Sequence, residues 1–512
     1  MARPKAPSFD HLRRDAKTLR RLYDARDPGA LTRLRMYPPR ADPGHLKHAD
    51  FLHVIAREQG FESWPKLKLA VETVGMDRAA KQQRLKIALY QGQGWVVEHL
   101  LSETPDLADG LFGLACALYD IDAVEAALAR DPSLAVQAFG PRRPILHLAF
   151  SRWIKQRPEL APQMIAVAEA LLAAGADVND GYPVSPGSDH LLSALYGAIG
   201  HADNMVLGRW LLEHGADPND GEALYHATEL GHHEGLKLLL AHGADPHGTN
   251  ALLRAMDFDD VAAVRLLLTH GAKADDYNDA EVGGEQPWVV PALHQAARRG
   301  SGPEMVKLLL ENDADPGRVW KGATAYGFAR VFGHAMLARE IEARGGAVPL
   351  SREETLLARA ADGEESPGAF IDPERLPPAY RDIIRDIVHL PDRLGQVQRL
   401  VALGVEYDRP DGTGVTPVQA AGWCGLPGMM AYLMGQRPDL AHVNDYGGTL
   451  LGTILHGSEN NPDRAEGDYR TCLELALEAG VALPRRAIEM AGREDLAAFL
   501  ADWAEAHPGQ VV

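Results

Sequence analysis

A run of leucines closed by Gly-Ala-Asp returns along this chain. It reads Leu171-Leu172-Ala173-Ala174-Gly175-Ala176-Asp177, then Leu211-Leu212-Glu213-His214-Gly215-Ala216-Asp217, then Leu239-Leu240-Ala241-His242-Gly243-Ala244-Asp245. Variants follow at Leu267 to Ala272 and at Leu309 to Asp315. Self-similarity at intervals of tens of residues marks a repeat architecture. Each unit then packs only on its neighbours, so the size limit of a single core does not constrain a chain of 512 residues. Such a stack works by presenting a surface. The expected function is therefore binding, without a catalytic pocket.

Aromatic residues make up only 6% of the chain, so its cores must be built from Leu, Ala and Val, as thin helical layers require. The net charge of −19 is unevenly spread. Residues 1–100 hold 19 Lys and Arg against 11 Asp and Glu, whereas the rest hold 33 against 60. An acidic body of this strength disfavours nonspecific nucleic-acid binding along the stack. Cys116, Cys424 and Cys472 lie too far apart in sequence for a metal motif or a disulfide framework, which points to a reducing cytoplasm. Met1-Ala2-Arg3-Pro4-Lys5 has charge but no apolar run behind it, so no secretory signal is expected. No stretch of 18 apolar residues predicts a membrane span.

The repeated phrase closes a longer unit. The clearest copy runs Pro291-Ala292-Leu293-His294-Gln295-Ala296-Ala297-Arg298-Arg299-Gly300, then Met305 to Leu310, then Ala314-Asp315-Pro316. Pro starts a helix, because its fixed φ suits the first turn and its missing N–H costs nothing there. Leu293, Ala296 and Ala297 share one face, and Gly300 can end the helix in a left-handed conformation. A second helix turns Val306, Leu309 and Leu310 inward, and the closing cluster signals a turn.

These units resemble the ankyrin repeat. The family opening Thr-Pro-Leu-His-x-Ala is matched by Pro144-Ile145-Leu146-His147-Leu148-Ala149, by Ala223-Leu224-Tyr225-His226-Ala227 and by Leu293-His294. Thr324 to Ala329 and Thr416-Pro417-Val418-Gln419-Ala420-Ala421 match it as well. Its Gly-His between helices occurs at Gly200-His201, Gly231-His232 and Gly333-His334. The resemblance covers roughly residues 80–505 and implies an all-α ankyrin solenoid with projecting β-hairpin fingers. About eleven or twelve partly degenerate repeats would fill that length. It also implies an interaction scaffold rather than an enzyme. Spacing departs from the usual interval of about 33 residues. Gly175 to Gly215 is 40, and the next two intervals are 28 each. Residues 177–190 and 274–290 make long fingers, and 151–165 lengthen a helical region.

The expected divisions are 1–76, a helical module; 80–350, a first block of repeats; 351–379, a joint or an irregular unit; and 380–512, a second block with a cap. In the first of these, Leu12, Ala16, Leu19 and Leu22 form one stripe with Arg13, Arg14, Lys17, Arg20 and Arg21 outside it. A second helix is expected over about 46–59, with Phe61 and Trp64 as anchors. The module is similar to one that often precedes bacterial ankyrin arrays. Thr416 to Gly480 resembles a bacterial subgroup with Gly-Gly-x-x-Leu-Gly, His-Gly-Ser and Asp-Tyr in order.

His456-Gly457-Ser458 with Asp468 lacks the Gly-x-Ser-x-Gly elbow of a hydrolase, so a repeat-specific loop is expected there. No catalytic residue, cofactor or metal ligand is expected. The finger from Asp275 to Trp288 carries five acids and no base. Its register does not fit a calcium loop. Partner-binding candidates are Tyr277, Asp279, Glu281, Glu285 and Trp288 in that finger, Trp320 in the next, Tyr182 in the earlier long finger and Trp423 on a first helix. Aromatics are enriched among binding hot spots. The expected partner is a protein with a basic segment, met by a monomer away from any membrane. The alternative is a regulator whose basic N-terminal module contacts nucleic acid or an acidic partner.

Overall fold

A computed structural model describes residues 9–38, 46, 48–278, 290–461 and 463–512. Its chain divides into two compact units, Met76–Glu354 and a second formed from Met1–Gly75 with Thr355–Val512.

The first unit is a succession of short antiparallel helix pairs. They are Arg78–Gln91 with Gly94–Glu103, Phe112–Leu118 with Ile121–Arg130, and Pro144–Ala149 with Ala161–Ala173. Next come Ala194–Tyr196, extended by a π-helical turn over Gly197–His201, with Met205–Glu213, and then Ala223–Ala227 with Glu234–Ala241. Ala251–Asp257 with Val261–Thr269, Ala292–Arg299 with Pro303–Glu311, and Ala325–Val331 with Ala335–Ala343 complete it. Two hairpins project between pairs. Strand β1 (Gly181–Pro183) pairs with β2 (Leu191–Ser193), and β3 (Val319–Trp320) with β4 (Ala323–Thr324), both antiparallel.

The repeated phrase owes its form to helix termination. Gly215 adopts φ 94°, and behind it the Ala216 N–H bonds to the Leu211 carbonyl at 2.9 Å. This six-to-one bond satisfies a carbonyl that the helix leaves unpaired, and the left-handed residue it requires is most easily glycine. His214 uses Nδ1 on the Trp210 carbonyl at 2.7 Å, and His242 and His270 repeat that contact one repeat later each. The leucines just before are sealed, with Leu211, Leu239 and Leu267 all fully buried. The acidic end of the phrase ties successive turns together. The Asn179 Oδ1 accepts from the Asp217 N–H at 2.7 Å, and the Asn219 Oδ1 from the Asp245 N–H at 2.7 Å. Asp275 substitutes for asparagine in the same role toward Asp315.

In the second unit the N-terminal residues form four helices, Phe9–Asp24, Pro28–Met36, His48–Glu58 and Trp64–Val74. Leu12, Leu19, Phe51, Ile55, Trp64 and Leu67 make their shared core, and Phe61 packs against it. The short second helix begins where Asp27 caps the Ala30 N–H and Pro28 takes the first turn. Lys17, on the basic outer face, pairs with Asp502 at 3.1 Å and Glu505 at 3.0 Å. Both acids lie on helix Glu494–Ala506, which also meets helix His48–Glu58. Within residues 362–380 the Ile371 N–H bonds to the Leu403 carbonyl at 2.8 Å, and Ile371 and Tyr380 are fully buried. Helix pairs then follow at Ile383–Ile387 with Leu394–Ala402, Pro417–Trp423 with Pro427–Gly435, Leu450–Asn460 with Tyr469–Glu478, and Arg485–Met490 with Glu494–Ala506.

Candidate partner-binding surface

The hairpin side of the first unit carries an aromatic cluster around one arginine. Phe139 and Arg142 bridge across a tight hairpin whose tip is Gly140-Pro141, with Gly140 at φ 75°. From there the Arg142 guanidinium lies 4.4 Å from the Tyr182 ring centroid, 4.5 Å from Phe150 and 4.8 Å from Tyr90. It also donates from Nη2 to the Tyr182 hydroxyl at 2.5 Å. Three successive repeats and the β1–β2 hairpin supply these groups. Phe150 rests edge-on against Tyr196 at 5.8 Å and against Tyr182 at 5.4 Å. Gly197 makes room for it, since a Cβ there would lie 2.6 Å from the Phe150 ring. The π-helical turn then brings His201 over Tyr90, with ring centroids 4.1 Å apart and Nε2 against the Tyr90 carbonyl at 3.1 Å. Such turns mark places where a helix has been re-aimed, frequently at functional sites. Burial, reinforced by the Arg152 charge, pushes His201 down to about 3, so its ring is neutral.

A charged network continues from this cluster along the first helices. Glu222 is almost fully buried and is gripped by His190 and by His226, the latter at 3.1 Å. His226 Nδ1 meets Glu229 at 2.8 Å, Glu229 meets Arg254 at 2.7 Å, and Arg254 meets Asp257 at 3.0 Å. Asp257 in turn accepts from Arg299 at 2.7 Å and from Gln295 at 2.5 Å. Burial opposes a charge on His226, but Glu222 and Glu229 overcome it and raise the ring to about 10. Thus His226 departs from the other opening-motif histidines. His147 and His294 bond the Phe139 and Ala323 carbonyls at 3.0 and 3.2 Å, and both are held below the usual histidine range by burial.

The sequence candidates fall into separate places. Tyr182 belongs to the arginine cluster, whereas Arg142, Tyr90, Phe150 and Tyr196 carried no sequence signal beyond the length of the finger beside them. Tyr277 faces Arg318 at 5.6 Å. Trp320, on β3, is half-buried against His294 and Phe328, with the Lys321 ammonium 4.7 Å from its ring. Asp279, Glu281, Glu285 and Trp288 lie outside the described residues. Trp423 lies in the second unit, 5.1 Å from the His456 ring. Its carbonyl accepts from Asn461 Nδ2 and from the Tyr469 hydroxyl, each at 3.1 Å. Gly457 sits against that same carbonyl, Ser458 is buried and donates to Leu455, and Asp468 caps helix Tyr469–Glu478. The His-Gly-Ser and Asp-Tyr residues therefore pack two repeats together, and no nucleophile reaches a base among them.

The burial of His294 has a pH consequence. Its folded value of about 4 lies below the roughly 6.5 of an unfolded chain, so the unfolded state binds the proton first. Stability is full above the unfolded value and falls with pH toward the folded one, by roughly 3 kcal/mol for this group. His294→Gln should flatten the stability loss between these limits in hydrogen exchange of helix Ala292–Arg299. An unchanged acid slope would refute the assignment.

Among the described residues no cluster of His, Cys, Asp or Glu is arranged to hold a metal, and no helix is long and apolar enough to cross a membrane. Stacked helix pairs with hairpin links define a repeat solenoid. More particularly, these are ankyrin repeats: the family model "Ankyrin repeats (3 copies)" matches residues 160–250 and 195–280, and "Ankyrin repeat" matches 291–320. Two solved structures are similar to parts of the chain. The human ASB11 ankyrin repeat domain is 21% identical, over 47% of this chain and 100% of that one, with a TM-score of 0.34. An ankyrin repeat domain from Acinetobacter baumannii AYE is 23% identical, over 40% of this chain and 97% of that one, with a TM-score of 0.30. No curated protein matches the chain.

Proposed function

We propose that this chain is a protein-binding scaffold, and that its partner docks on the hairpins and first helices of the unit Met76–Glu354. Ankyrin repeats generally mediate protein–protein interaction. The observation that carries the reading here is the half-exposed aromatic run of Tyr90, Tyr182 and Tyr196 with Trp320 further along the same unit. Packed against glycine and histidine, these rings lose little freedom on binding, which preserves the gain from burying them. The chemistry around them is that of adhesion. The strongly shifted histidines sit in bonds to backbone or to buried acids among the described residues. The free cysteines are consistent with a cytoplasmic, reducing setting, and a monomer binding its partner is the simplest arrangement.

In the basic N-terminal module Lys17 is committed to Asp502 and Glu505, which removes one of its cations from a nucleic-acid contact. Affinity capture from cell extract with wild type and with Tyr182→Ala/Trp320→Ala tests the main reading. The captured proteins should drop by roughly tenfold or more in the variant, the cost of losing two aromatic anchors. An unchanged set would place binding elsewhere.

A further inference from the structure

We infer that Arg142 is an anion anchor, and that the partner presents an Asp or Glu side chain to it from a peptide segment laid across the β1–β2 hairpin. This rests on the binding role proposed above and specifies the partner's chemistry.

The argument begins with charge. Several cations of this unit have carboxylate partners, while Arg152, beside the cluster, donates Nε–H to the His201 carbonyl at 2.8 Å. Arg143, the immediate neighbour of Arg142, holds Asp180 at 2.6 Å; Lys155 holds Asp203 at 2.7 Å; Arg254 and Arg299 share Asp257. Arg142 has three aromatic rings and one tyrosine hydroxyl instead. Its Nε–H is sealed from solvent without an acceptor, so an incoming group meets the guanidinium through its Nη atoms. A guanidinium carries five N–H donors in a planar fork that matches a carboxylate. Here the rings fix that fork and lower the dielectric around it, yet the matching carboxylate is absent among the described residues. Fixing the protein's own hairpins does not require this arrangement, because Arg143 and Asp180 already link them.

The surroundings also favour an incoming acid. His201 and His147 beside the cluster are held neutral. The next acid along the helices, Glu222, is engaged by His190 and His226. Arg142 is thus an uncompensated positive charge in an aromatic rim. An acidic side chain flanked by apolar residues complements it, the acid meeting the fork and the neighbours covering Tyr90, Tyr182 and Tyr196. A side chain suits the position better than a chain terminus, since the hairpin and the first helices offer a track on which a segment can continue both ways.

The experiment uses the full chain and a displayed library of acetylated, amidated twelve-residue peptides. Selected peptides should carry a fixed Glu or Asp. On wild type, changing that acid to Gln or Asn should weaken binding about 30-fold or more, the cost of breaking a desolvated charge pair. On Arg142→Gln the same change should cost about twofold or less, because the two substitutions then remove one interaction. Arg142→Lys, which keeps charge but loses the fork, should fall between. Circular dichroism of each variant at equal concentration checks that it is folded. Peptides that bind on this hairpin, as shown by loss with Tyr182→Ala, but lack an acid or ignore Arg142→Gln, overturn the anchor and leave the scaffold reading standing. Peptides that ignore Tyr182→Ala and Trp320→Ala alike overturn both. Displacement of the peptide by a phosphorylated oligonucleotide that itself binds more tightly through Arg142 would overturn the carboxylate in favour of phosphate.

Discussion

Gly457→Ala should cost about 3 kcal/mol or more, the upper range for overpacking, and should do so at one place in the chain. A Cβ at Gly457 would lie 2.2 Å from the Trp423 carbonyl oxygen and 2.8 Å from its carbon. Neither atom can rotate away, because both are backbone. The two helices, Pro417–Trp423 and Leu450–Asn460, would have to separate, and the Trp423 carbonyl would lose its bonds from Asn461 and Tyr469. Each orphaned group adds a penalty of about 1–3 kcal/mol. Gly435 is the control. It ends the neighbouring helix with open space around its Cα, so Gly435→Ala should be neutral or stabilise by up to about 1 kcal/mol. Local hydrogen exchange is the right measurement, since a chain of two units has no single unfolding free energy. Equal protection in the two variants would show that the close approach is unimportant.

Glu222→Gln should be comparably damaging in the other unit, at about 3–5 kcal/mol, the usual cost of removing one partner from a buried ion pair. Glu222 is 1% exposed and lies between two histidines. The pH dependence separates this charge effect from lost packing. His226 has a folded value near 10, above the roughly 6.5 of an unfolded histidine, so the folded state holds the proton more tightly. The stability it contributes is complete below the unfolded value and is lost as pH rises toward the folded one. Wild type should therefore lose protection in helix Ala223–Ala227 on going from neutral to alkaline pH. In Glu222→Gln that loss should be much smaller, because Glu229 alone remains to hold the charge. An identical slope in both proteins would remove His226 from the explanation.

Much of the helical organisation was legible because its signals are local. Leucine spacing, prolines at helix starts and glycines after helix ends all act within a few residues. The helix Pro28–Met36 had such a signal as well, in Asp27 and Pro28, but its weak apolar stripe hid it. The arginine cluster was illegible for a different reason. Tyr90, Arg142, Phe150 and Tyr182 span more than ninety positions and meet only through repeat stacking and the π-helical turn. Tyr182 was visible as an aromatic in a long finger; the cation on its face was not. The His-Gly-Ser motif was visible as a departure from the repeat, yet its reason lies in the Trp423 carbonyl, which no spacing rule connects to Gly457.

Lys17 and Glu505 are separated by 488 positions, yet they are bonded within one unit. A repeat array ordinarily needs only near neighbours and can grow as it is synthesised. The unit formed from both ends of this chain cannot. Its first four helices leave the ribosome long before helix Glu494–Ala506 exists; their shared core can form at once, but the Lys17 face is covered only later. Contacts of such separation slow folding and lengthen the exposure of apolar surface. In the cell, synthesis rate and chaperone access should therefore affect the yield of this protein alongside the intrinsic stability of its repeats.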